Sequence, residues 1–177
     1  MADFAYEHLV ADIPDYPEPG VVFKDITPLV ADQEGFAAAI DAIAYHFKDA
    51  GVTKVVGAEA RGFLVGAPVA YKLGAGFVPA RKPGKLPREV VTESYELEYG
   101  TDEIQMHADA LTSDDIVLIV DDLVATGGTA AAQVHLVEKF GAKLVGMAFL
   151  MELSFLNPVE LLQKETDAEL FSLIKVN

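Results

Sequence analysis

The sequence predicts an α/β protein: a central, mostly parallel, twisted sheet flanked by helices. Three observations carry the prediction. Short β-prone apolar runs alternate with stretches whose apolar residues recur at helical spacing, and that β-α-β rhythm implies a parallel sheet with right-handed crossovers. Val117–Thr129, reading VLIVDDLVATGGT, joins an apolar strand to a glycine-rich turn and a helix start. A length of 177 residues suits one domain with a substantial core, and no repeat, low-complexity tract or linker divides it.

The elements follow in order. Phe4–Ala11 reads as a short first helix, after which Pro14, Pro17 and Pro19-Gly20 impose an extended, turning course. Val21–Leu29 is irregular or partly extended. From Gln33 to Ala50, Phe36, Ile40, Ile43, Ala44 and Phe47 fall on one helical face, and Gly51 ends the helix. Lys54–Ala58 is a strand. Gly62–Leu73 is an almost wholly apolar helix, buried on several sides or against another subunit. Ala75–Ala80 is the next strand. Pro83-Gly84 and Pro87 mark a loop, and Val90–Leu97 with Glu103–His107 pair as a hairpin. Strand Ile116–Val120, helix Thr129–Phe140 and strand Lys143–Leu150 continue the rhythm, and helix Pro158–Gln163 with strand Leu170–Ile174 closes it.

Composition narrows the function. A formal charge of −15 argues against nucleic acid, whose binding needs a basic surface. No apolar run reaches the roughly eighteen residues of a membrane span, and no cationic segment precedes an apolar one, so a soluble, cytoplasmic chain is expected. The absence of cysteine excludes disulfides and thiolate zinc sites. The four histidines, His8, His46, His107 and His135, show no acidic partner at ligand spacing and read as surface or half-buried.

Three constellations carry chemistry. In VLIVDDLVATGGT the acids precede the glycines and no lysine follows them, which removes the Walker loop; G-x-G-x-x-G is absent too, which removes the dinucleotide fingerprint. Carboxylates before a row of main-chain amides suit a sugar phosphate, with acids on ribose hydroxyls and amides on phosphate. Gly57–Phe63, GAEARGF, places Arg61 at a second strand-to-helix junction, where amides and a guanidinium make an anion site. Finally, four of the thirteen Lys and Arg residues lie in Arg81–Arg88, RKPGKLPR, a local positive cluster that would focus an anionic substrate on an acidic protein.

With Pro19–Leu29 (PGVVFKDITPL) and the stretch Arg81–Gly100 that ends in ESYELEYG, these blocks make the chain resemble the adenine phosphoribosyltransferases, of the type I phosphoribosyltransferase family, along nearly its whole length. The resemblance implies the type I fold over residues 1–177, with a base-covering hood (1–32) and a flexible β-hairpin lid (about 81–107). It implies transfer of the 5-phosphoribosyl group of 5-phosphoribosyl-1-pyrophosphate (PRPP) to adenine, giving AMP and pyrophosphate. Asp121 and Asp122 would hold the ribose hydroxyls directly or through water on Mg2+, which arrives with PRPP and needs no dedicated protein cage. Ala125, Thr126, Gly127, Gly128 and Thr129 would hold the 5-phosphate. Glu59, Ala60, Arg61, Arg81, Lys82 and Lys85 would face pyrophosphate, Arg81 and Lys85 reaching across a homodimer interface, and the Glu59–Ala60 peptide is often cis in such proteins. Val22, Phe23, Lys24 and Leu153 would receive adenine, and Glu98 would serve as base or proton relay beside the catalytic cations Arg61 and Lys85.

Two other functions fit parts of the pattern. A transferase for xanthine, hypoxanthine or guanine would share Asp121–Thr129 but not the Val-Val-Phe-Lys segment. A non-catalytic PRPP-sensing regulator would add a basic DNA-binding domain, against which stand the charge and the roughly twenty residues preceding Val21.

Overall fold

The computed structural model describes residues 4–97 and 100–177. A single 3₁₀ turn at Glu7–Leu9 leads into two short antiparallel strands, β1 (Ala11–Pro14) and β2 (Val22–Asp25), which pair Asp12 with Lys24 and Ile13 with Phe23. The expected first helix shrinks to that turn. So short a segment hardly nucleates a helix, and Phe4, Tyr6, Leu9 and Val10 are instead held by packing against the core. Helices α1 (Thr27–Ala31) and α2 (Gln33–His46) follow; Asp32 caps α2 by accepting the Gly35 N–H at 2.7 Å.

Then come β3 (Lys54–Ala58), α3 (Arg61–Leu73) and β4 (Gly76–Ala80), with Gly74 closing α3 at φ 68°, a left-handed angle that glycine adopts freely. Next is the hairpin of β5 (Val90–Leu97) and β6 (Gly100–His107), joined to β4's end by reciprocal main-chain hydrogen bonds between Arg81 and Gln105. Strand β7 (Ile116–Val124), α4 (Gly128–Lys139), β8 (Lys143–Leu153), α5 (Pro158–Glu165) and β9 (Glu169–Val176) complete the chain.

The five-stranded sheet runs β4-β3-β7-β8-β9, every pair parallel. Both faces are covered, as such sheets require. Along β7, Val117 and Ile119 enter the cluster shared with α4, whereas Leu118 and Val120 enter the one shared with α2 and α3. Four strands, β6, β7, β8 and β9, outrun the sequence's expectation. β7 continues through both aspartates to Val124 and β8 to Leu153, because the ladder is made by main-chain groups: Asp121 pairs with Phe149 and Val124 with Glu152 whatever their side chains. Among the described residues no helix is long and apolar enough to cross a membrane.

Candidate active site

Strand order reverses between β3 and β7. From β3 the crossover α3 leads outward to β4, and from β7 the crossover α4 leads the other way to β8. The crevice beyond the carboxyl ends of two such strands is where open α/β sheets bind ligands. Residues 58–61 after β3 and 121–129 at the end of β7 therefore converge by topology.

Asp121 and Asp122 are 9% and 6% exposed. As neighbours on a strand they face opposite ways. Asp122 turns toward α3, where Arg61 Nε stands 2.8 Å from its Oδ2. The distance makes an ion pair, but the N–H does not aim at the oxygen, which is buried and accepts no hydrogen bond. Asp121 turns toward α4: its Oδ1 accepts the Asp122 N–H at 2.9 Å and its Oδ2 faces Gln133 Nε2 at 3.4 Å. A Cβ at Gly62 would lie 2.4 Å from Asp121 Oδ1, so glycine at this position lets the start of α3 approach the carboxylate without displacing it. Burial, then the Asp122 charge, pushes Asp121 well above the ordinary carboxylate range; Asp122 is raised too, burial outweighing the Arg61 charge. Of the two acids, only Asp122 has the guanidinium as its ion-pair partner.

Beside them lies a cavity of about 200 Å³, lined by Asp121, Phe149 and the turn 123–130. Gly127, at φ 94°, caps the N-terminus of α4 and directs the following amides into the turn. A Cβ there would also meet Leu161 and Leu162 of α5 at 3.4 and 3.5 Å, so α5 supports the turn from behind. Unpaired amides at the start of a twelve-residue helix favour an anion.

On the β3 side the Glu59–Ala60 peptide is cis. Glu59 turns to the cationic segment: it accepts from Arg81 Nε and from the Lys82 N–H, each at 2.8 Å. Burial alone would raise the Glu59 carboxyl, but those donors and the nearby Lys85 charge hold it below its ordinary range. Arg81 also donates to the Lys85 carbonyl at 3.2 Å, and Lys82 pairs with Asp102 of β6, near Tyr95. Lys85 is exposed.

The hood meets this crevice through Phe23, whose ring has the Arg61 guanidinium 5.0 Å from its centre and Tyr16 edge-on at 5.2 Å. Lys24 points to the other face of β2 and pairs with Asp12 at 2.6 Å, beside Met151 and Ile174. Val22 is half exposed, and Leu153 ends β8, paired with Val176. Glu98 lies outside the described residues.

Thus Asp121, Asp122, Arg61 and the 125–129 turn meet in one crevice, with Glu59, Arg81 and Lys82 interlocked at its β3 side. Sequence reasoning missed Gln133, a polar residue buried in the apolar face of α4, and Asp102, which takes Lys82. It also missed the acidic partners of His46 (Glu169 at 2.7 Å) and His135, because they are distant in sequence. No group of three or more candidate metal ligands converges among the described residues.

Comparison with known proteins agrees with this geometry. The phosphoribosyl transferase domain model matches residues 28–175. An adenine phosphoribosyltransferase of Solidesulfovibrio magneticus is 57% identical over 155 residues, 88% of this chain and 91% of that protein. The adenine phosphoribosyltransferase structure from Thermoanaerobacter pseudethanolicus superposes with a TM-score of 0.89 at 46% identity, covering 96% of both chains. The APRTase of Giardia lamblia, solved with 9-deazaadenine, gives a TM-score of 0.92 at 36% identity, covering 100% of this chain and 99% of that one. A strand-reversal crevice with paired acids and an amide-lined turn, matched over this much of the sequence, places the chain in the phosphoribosyl transferase family, among the adenine phosphoribosyltransferases.

Proposed function

We propose that the chain transfers the 5-phosphoribosyl group of PRPP to N9 of adenine, releasing AMP and pyrophosphate. The observation that carries this reading is the convergence of Asp121, Asp122, Arg61 and the Gly127 turn where strand order reverses. In it, amides of residues 125–129 and the Thr126 and Thr129 hydroxyls hold the 5-phosphate, and the two aspartates accept from the ribose hydroxyls. As the anomeric C–O bond breaks, positive charge grows on the ribose and negative charge on the departing pyrophosphate. Arg61, Arg81, Lys82 and Lys85 stabilise that leaving group, a preorganised electrostatic effect worth roughly 3–4 kcal/mol per donor. Adenine lies against Phe23, with Val22 main-chain groups and Leu153 completing its pocket. Lys24 acts on the base indirectly, fixing β2 through Asp12.

The donor set fits magnesium: Asp121 and Asp122 offer hard carboxylate oxygens, and Asp122 Oδ2 is buried without a hydrogen-bond donor. Bound with PRPP, the ion supplies charge neutralisation on the pyrophosphate and water that these aspartates can orient. Glu98 as the group receiving the N9 proton rests on the family resemblance. The homodimer belongs to the same proposal, with Arg81 and Lys85 near the partner's site. The outward face of α3, where Leu64 and Tyr71 are 43% and 84% exposed, offers an apolar surface for it. The direct experiment follows nucleotide formation from PRPP and Mg2+ with adenine, hypoxanthine, guanine and xanthine in turn. Adenine alone should support rapid turnover; comparable rates with an oxopurine would replace the adenine reading with another base.

A further inference from the structure

Outside the crevice, one histidine bridges three elements. His135, on the third turn of α4, has Nδ1 3.2 Å from Glu93 Oε1 on β5 and Nε2 2.9 Å from Glu165 Oε2 at the end of α5. A neutral imidazole has one donor and one acceptor nitrogen, and an ionised carboxylate only accepts. Both contacts are therefore hydrogen bonds only when both nitrogens carry protons. One turn further on, Lys139 Nζ stands 2.5 Å from Glu93 Oε2 and donates to the Thr92 carbonyl at 2.6 Å. Among the described residues, the remaining groups around the imidazole do not compete with this bridge. The β6 face toward α4 presents buried Ile104 and Met106 and then Asp102, which is occupied by Lys82; on α5, Glu160 is paired with Lys164.

The bridge lies between the helix that begins at the proposed phosphate turn and the hairpin that holds Arg81. Upstream, α4 begins at Gly128, in the phosphate turn. Across the hairpin, Thr92 Oγ1 accepts from Gln105 Nε2 at 3.0 Å, and Gln105 exchanges main-chain hydrogen bonds of 2.8 and 2.7 Å with Arg81. A continuous path thus runs from the helix behind the phosphate turn, through His135, Lys139, Glu93 and Thr92, to the strand pair that holds Arg81.

We propose that His135, as a doubly donating imidazolium, is a positioning residue that fixes the β5–β6 hairpin to α4 and α5 and thereby sets the position of Arg81. The Arg81 half rests on the PRPP reading above; the bridge itself does not. Its hydrogen bond to Glu165, then that to Glu93 and both charges, outweigh burial and move the imidazole above its ordinary value. The bridge is complete below this raised pKa and opens as pH rises through it.

Three measurements test this. In the substrate-free protein, the imidazole resonances of His135, assigned by their loss in His135→Gln, should titrate above about 6.5. Glu165→Gln should lower that midpoint and leave the fold intact. A midpoint at or below the unperturbed value would overturn the bridge, whatever the enzyme does. Amide exchange at Gln105 and Arg81 should quicken across the same pH interval in wild type but not in His135→Gln; identical pH dependence in both would overturn the coupling. Finally, KM for PRPP should rise about threefold to fivefold through that interval with kcat little changed, and His135→Gln and Glu165→Gln should flatten the rise. Variants that keep the wild-type pH course of KM would show that His135 positions nothing in the site. Absence of any PRPP turnover would instead count against the proposed function, while the titration and exchange results would still decide the bridge.

Discussion

The two anion-binding edges of the crevice are built differently. At the end of β7 the donors are main-chain amides of a turn fixed by Gly127 and supported by α5, beside two buried carboxylates of which Asp122 pairs with Arg61. At the end of β3 they are long cationic side chains already answered by the chain's own acids: Arg61 by Asp122, Arg81 by Glu59 and Lys82 by Asp102. In the proposed reaction the first edge would take the 5-phosphate without rearrangement. The second would exchange internal carboxylates for pyrophosphate, holding charge during bond cleavage and still releasing the product.

Removing a cation from the β3 edge should have the largest effect. Arg61→Ala deletes a charge on the leaving group and strands Asp122, so kcat should fall about 10²–10³-fold with far less change in AMP affinity. Equal losses in both would place Arg61 in general anion binding and erase the distinction between the edges. Gly127→Ala strikes the β7 edge by forcing a side chain into a left-handed conformation against α5. Displacing the turn should cost about 10²-fold in kcat/KM and weaken AMP and PRPP together. A variant that loses PRPP alone would assign the turn to pyrophosphate.

Asp121→Asn separates function from stability. A carboxyl whose native pKa is raised retains protons that the unfolded chain has released, so it costs stability progressively as pH climbs above the unfolded value of about 3.9. The variant should therefore melt higher than wild type at neutral pH, with little difference near pH 3, while kcat/KM falls about tenfold or more from the lost charged hydrogen bond. A lower Tm at neutral pH would mean that the carboxylate is well stabilised, contrary to its burial beside Asp122. The smallest effect is expected at Lys24→Met. Because Lys24 pairs with Asp12 on the face of β2 away from Phe23, KM for adenine should move less than about twofold. A larger rise would return Lys24 to direct contact with the base.

Much of this was legible in the residues because it was local. Strand Lys54–Ala58 matches its apolar run, α3 and α4 begin one residue before expectation, and the hairpin pairs Val90–Leu97 with a strand that contains the expected Glu103–His107. The strand-to-helix turn at Gly127 could be read because its requirements sit in consecutive positions. What stayed hidden was decided by partners distant in sequence. His135 meets acids 42 and 30 positions away, Lys82 an acid 20 away, and Asp121 an amide from the middle of α4. The N-terminal segment looked helical from its own residues, but it is too short to nucleate a helix, and packing of Phe4, Tyr6, Leu9 and Val10 against the core holds it as a single 3₁₀ turn. The aspartates seemed to end β7, yet strand pairing does not consult side chains.

The most direct test adds ribose 5-phosphate, which carries neither base nor pyrophosphate, to isotope-labelled protein while backbone amide resonances are followed. Amides of Thr126, Gly127, Gly128 and Thr129 should shift strongly, with those at Arg81 and Lys82 nearly unmoved. Shifts confined to the cationic segment, with the glycine turn silent, would contradict the account.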